Sequence, residues 1–114
     1  MEPIVDVEIT GPDAEWLAAY AKALVEEGLA ASGNVVPGLR SLYRWEGEVQ
    51  DESEALLVLH TRAALVPALI ERTDDEHPYL VPGFRYRPVS AAPAYHQWVL
   101  DSTRPTYPPT PPGE

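Results

Sequence analysis

Apolar and polar residues alternate over residues 4–10, with Val5, Val7 and Ile9 on one side and Ile4, Asp6, Glu8 and Thr10 on the other. A period of two predicts a first strand. The period then lengthens. Trp16, Leu17, Tyr20, Ala21, Leu24 and Val25 recur at helical spacing and leave Lys22, Glu26 and Glu27 outward. Asp13 stands where a cap for the free amides belongs, Glu15 lies in the first turn, and Gly28 supplies a C-terminal stop.

Residues 29–62, LAASGNVVPGLRSLYRWEGEVQDESEALLVLHTR, read as two extended runs meeting at a charged turn, a long β-hairpin around which the rest is organised. In the first arm, residues 35–45, strict alternation sets Val35, Pro37, Leu39, Ser41, Tyr43 and Trp45 on one face and Val36, Gly38, Arg40, Leu42 and Arg44 on the other. Neither face is cleanly apolar, and arginine with tyrosine is a pairing favoured where chains meet. Pro37-Gly38 sits badly in a fully paired strand, so a bulge or bend is expected there. Glu46, Glu48, Asp51, Glu52 and Glu54 lack a calcium-loop pattern and read as a solvated turn.

A second helix is predicted over residues 63–76, with Leu65, Val66, Leu69, Ile70 and Thr73 on one stripe. Pro67 restricts its start, Asp74-Asp75-Glu76 oppose the helix dipole and predict fraying, and Pro78 ends it by His77. Residues 84–89 form a short last strand, and residues 92–102 a short helix with Tyr95, Trp98 and Val99 inward. One domain thus spans residues 1–102. Residues 103–114, TRPTYPPTPPGE, are a proline-rich tail suited to an extended conformation, either disordered or a ligand for an aromatic-lined groove.

Strand, helix, strand, strand, helix, strand is the order of an α+β, ferredoxin-like sandwich, here with a long hairpin between the second and third strands and a short C-terminal helix. Two helices cover one sheet face. The other needs a cover, which a chain this small finds by oligomerising.

Composition narrows the partners. Eighteen acidic against eight basic residues give a formal charge of −10, which repels phosphate backbones and anionic lipid; nucleic acid and membrane are not expected partners. There is no cysteine, so disulfides, thiolate zinc sites and a thiol nucleophile are excluded. No apolar run has the length of a membrane span and the opening MEPI lacks the form of a signal peptide, so cytoplasmic residence is the expectation. Phosphate loops, GxGxxG, GxSxG and HExxH are all missing, and no enzyme activity is expected.

In order along the chain, ITGPD (9–13), ALVEEGLAASGNVVPG (23–38), SLYRWEGEVQDESEALLVLHTR (41–62), LVPALIER (65–72) and HPYLVP (77–82) resemble the CutA family of divalent-cation tolerance proteins. The resemblance implies a ferredoxin-like fold assembled as a tight homotrimer, and a role in tolerance to, or binding of, divalent metals such as copper. Three positions depart from the family pattern. Ser32 stands where the family commonly has cysteine, Gly83 where it commonly has glutamate, and His60, either an added imidazole or a solvated residue at the strand end, where lysine is typical.

His77, in the His-Pro-Tyr stretch, is the candidate metal ligand, since a neutral imidazole suits copper and the flanking prolines stiffen the loop. Packing at a subunit junction with bonds to backbone is the competing reading. Ser32, Asn34, Tyr43, Trp45, His60 and Tyr79 are candidates to line a cleft between subunits, where a metabolite or partner of a regulatory trimer would bind; ordinary interface packing, which aromatics on hairpin strands favour, is the simpler reading of Tyr43 and Trp45.

Overall fold

In the computed structural model, which describes residues 1–107, the chain forms β1 (Ile4–Gly11), α1 (Ala14–Glu26), β2 (Ser32–Trp45), β3 (Glu48–Arg62), α2 (Val66–Glu76), β4 (Phe84–Val89) and α3 (Pro93–Asp101), with a 3-10 turn at Ala63–Leu65 ahead of α2. The strands make one four-stranded sheet in the order β2-β3-β1-β4, and every neighbouring pair is antiparallel. It is an α+β fold of four strands and three helices. Residues 108–114, most of the proline-rich tail, lie outside the described residues.

The period-two pattern fixes the core. Val5, Val7 and Ile9 of β1 and Ala55, Leu57 and Leu59 of β3 face α1 and α2, where Leu17, Tyr20, Leu24 and Leu69 close over them. Asp13 accepts the Glu15 amide at 2.9 Å and starts α1. Two residues placed inward by spacing alone, Val25 and Ile70, instead lie at the edges of their helices' buried stripes and are exposed. Helix α2 begins three residues later than the predicted start at residue 63, after the 3-10 turn, and carries Pro67 in its first turn. It is helical through Asp74-Asp75-Glu76. Arg72 there pairs with both Glu76 and Glu27, offsetting the unfavourable dipole.

The hairpin departs from its simple reading in two ways. Its tip is only Glu46-Gly47, both with positive φ (50° and 80°), a two-residue turn of the kind that suits the twist of paired strands. Asp51, Glu52 and Glu54 therefore belong to β3, not to the turn. The expected irregularity at Pro37-Gly38 is present: Val36 pairs with Leu56 and Leu39 with Glu54, so two residues of β2 stand against Ala55 alone. That extra residue divides the face predicted by strict alternation. Val35, opposite Leu57, lies on the helix side, whereas Leu39, Ser41, Tyr43 and Trp45 share the other side with Glu54.

On that second face α3 packs by a narrow stripe: Val99 is buried with Ile4 and Ala31, and Val89 and Leu100 border them. Tyr95 and Trp98, expected inward, are 41% and 45% exposed, because a stripe this narrow leaves their helix flank uncovered. Packing continues past the helix. Arg62, buried, donates from Nε to the Thr103 hydroxyl at 2.9 Å, from a terminal nitrogen to the Thr103 carbonyl at 3.1 Å and to the Leu100 carbonyl, and pairs with Glu2. The Arg104 amide donates to the Gly28 carbonyl at 2.8 Å.

Candidate functional site

Seven residues were singled out by the sequence, and the fold separates them into two groups, with His77 at the end of α2 against Trp16 and the others on the sheet face opposite α1 and α2.

The first group lies where the loop after α2 returns across the end of β1. His77, 7% exposed, donates from Nε2 to the Thr10 carbonyl at 2.7 Å and accepts the Tyr79 amide at Nδ1 at 3.0 Å. Both nitrogens are thereby bonded to backbone, as the neutral Nε2–H tautomer allows. The edge of Trp16 meets the ring at 5.2 Å between centroids, and Tyr79 lies tilted on it at 4.9 Å. An ion reaching His77 has to displace one of those two hydrogen bonds. Gly83 closes the loop tightly: a Cβ there would sit 2.6 Å from the Thr10 hydroxyl oxygen.

Tyr79 then reaches across to β3 and donates its hydroxyl to Glu54 at 2.8 Å. Burial raises the Tyr79 pKa far above the usual phenol range, and the hydrogen bond and negative charge of Glu54, with Glu52 beyond it, push the same way. Tyr43 is raised too, by desolvation first and then by the charges of Glu52 and Glu54. Glu54, read from sequence as part of a solvated turn, is only 8% exposed. Between the outer half of β2 and the loop runs a groove of about 990 Å³, with Tyr43, Trp45, Tyr79, Leu80, Glu54 and Arg85 among its walls.

The second group lies lower on the face, beside α3. His60 contacts Asp6 through Nδ1 at 2.9 Å and the Asn34 side-chain oxygen through Nε2 at 2.8 Å, tying β1 and β2 to β3. It is a clasp between strands, not a solvated residue at a strand end. Ser32 faces His60 directly across the ladder, and its hydroxyl lies 3.5 Å from that of Tyr95, whose ring is edge-on to the imidazole. Ser32 and His60 are thus neighbours.

Asp6, Glu54 and Tyr95 complete these groups, and sequence reasoning did not select them. Asp6 and Glu54 did carry a signal, since each falls on the phase opposite to its strand's core residues. What it meets there depends on the pairing register, which the chain does not spell out locally. Among the described residues, no three or more His, Cys, Asp or Glu side chains gather as a metal cage, and no helix is long and apolar enough to cross a membrane.

Comparison with known proteins agrees with this geometry. Residues 5–102 match the family described as CutA1 divalent ion tolerance protein. The divalent-cation tolerance protein CutA of Thermus thermophilus is 45% identical over 98 residues, 85% of this chain and 95% of that protein. The chloroplastic protein CutA of Arabidopsis thaliana is 40% identical over 103 residues; these are 90% of this chain but only 57% of the relative's length. Among solved structures, CutA1 from Oryza sativa has a TM-score of 0.86 at 37% identity, covering 92% of this chain and 97% of that one. The Thermus thermophilus protein gives 0.83 at 44% identity, covering 91% and 100%.

Proposed function

The chain belongs to the CutA1 divalent ion tolerance family, and from that premise we propose that it is a cytoplasmic, ferredoxin-like homotrimer that takes part in the response to divalent cations, with copper or a similar ion as ligand and no catalytic step. The observation that carries the reading is the family match, which runs through the whole globular part of the chain. Trimerisation is supported by the outer hairpin, where Leu42 and Val49 are 64% and 65% exposed. The acidic charge favours cations.

The His77 loop is the place to look for the ion, on terms the geometry sets. A metal there replaces either the Thr10 carbonyl or the Tyr79 amide as partner of the ring, and Ser32 and Gly83 supply neither thiolate nor carboxylate to assist. Binding is therefore expected to be weak. Copper(II) titrated calorimetrically into the native protein and into His77→Ala near neutral pH tests this. Saturable heat that the variant loses supports a site at the loop; no saturable heat in either removes copper binding from the reading. The second reading is a regulatory trimer that holds a metabolite or a partner's segment in clefts between subunits, and the groove beside Tyr79 favours it.

A further inference from the structure

Glu54 is the one carboxylate of the groove that is buried without a counter-charge. The other acidic wall residue, Glu8, pairs with Arg85 and Arg87, and nearby on the hairpin Asp51 pairs with Arg40 at 2.7 Å. Among the described residues Glu54, 8% exposed, has no ion pair, and its hydrogen bond is the one from the Tyr79 hydroxyl. A carboxylate that deep is expensive to leave uncompensated. The lining is mixed and includes Arg44 and Arg85, the second of them held by Glu8. Tyr43, Trp45 and Tyr79 bring three aromatic rings to the same groove, and ring faces attract cations. Burial is the first cause of the raised pKa of both tyrosines, and the negative charges of Glu54 and Glu52 add to it in each.

The shape argues against a bare ion. A hard divalent cation wants six or more oxygens, and a softer one wants imidazole or thiolate; Glu54 has neither a caging set nor a histidine bonded to it. A volume of about 990 Å³ is instead that of a small-molecule site. We propose that this groove binds a small organic cation, an alkylammonium or alkylguanidinium, with its charge on Glu54 and its carbon chain along Tyr43, Trp45 and Tyr79. The proposal deepens the cleft-ligand reading and is independent of copper at His77.

The test is a titration of the full chain with n-butylguanidinium and n-butylammonium, followed by tryptophan fluorescence and calorimetry, with n-butyrate, a nucleotide and copper(II) as comparison ligands. Saturable binding of the two cations is expected, about tenfold weaker in Glu54→Gln and also weakened in Trp45→Ala, with Glu71→Gln like the native protein. Light scattering on each variant checks that assembly is unchanged. The proposal is overturned by no saturable response to either cation at up to about 10 mM; by binding that Glu54→Gln leaves intact; by butyrate binding as well as the cations; or by a loss of assembled mass in Glu54→Gln with no response to free cations, which would assign the charge to a neighbouring copy's arginine. A response to the nucleotide alone overturns the organic cation while leaving a ligand in the cleft standing.

Discussion

The Glu27 carboxylate receives two 2.8 Å hydrogen bonds from the Arg72 guanidinium, joining the end of α1 to α2. Those bonds hold its pKa below the ordinary 4.5, against a smaller opposing effect of burial. A depressed pKa means that the bridge stabilises the fold above the unfolded-state value and stops doing so as pH falls through the folded one. Both side chains are partly exposed, 23% and 40%, so the contribution is modest. Glu27→Gln should lower unfolding free energy by about 0.5–1 kcal/mol at pH 7 and by less at a pH below the ordinary 4.5, measured by urea denaturation at both. An equal loss at both pH values would refute the ionic origin. At this scale the sequence was only partly readable. His77 could be selected because its loop is rigid and local, but its bond to Thr10 joins residues 67 apart. His60 looked like a solvated strand end until register placed Asp6 and Asn34 on either side of it.

Elements were far more legible than partners. Phe84–Val89 has the boundaries its alternation predicts, and Gly28 and His77 end their helices as expected. The misreadings share a cause: a local period does not know what packs on it. Tyr95 and Trp98 have helical spacing but only Val99 finds a buried place, and the aromatic row of β2 changes face because a bulge interrupts a count made residue by residue. The bulge itself was foreseeable from Pro37-Gly38. Gly38 has φ of 77°, and nothing lies within 4 Å of where its Cβ would be. Gly38→Ala therefore tests backbone strain with no packing term, and should cost about 1 kcal/mol in urea denaturation. A neutral substitution would show that the bulge relaxes to another conformation.

At the scale of the molecule, the Cα radius of gyration is 15.2 Å, against about 13 Å for a rounded chain of this length, and the long axis reaches 51 Å. The excess follows from the hairpin, whose tip extends beyond the helices. A two-stranded ribbon without a covering layer is marginal by itself. Light scattering at low micromolar concentration should therefore return three times the chain mass of 12.6 kDa; a mass of one chain would refute the trimer. Oligomerisation was legible as a need, from a sheet face with too few helices, while the groove beside Tyr79 was legible only in its aromatic members Tyr43, Trp45 and Tyr79, since its walls come from β1, β2, β3, β4 and one loop. The bulge has a consequence for assembly as well. Pairing in the outer hairpin is anchored from the tight turn at Glu46-Gly47, so the extra residue at Pro37-Gly38 is slack: without it Leu39 can still meet Glu54, and Tyr43 and Trp45 still look the same way. What the slack governs is aim. By bending β2 it sets the direction in which the overhang leaves its own subunit, and so a change in length at this point would redirect the arm without altering the chemistry it carries.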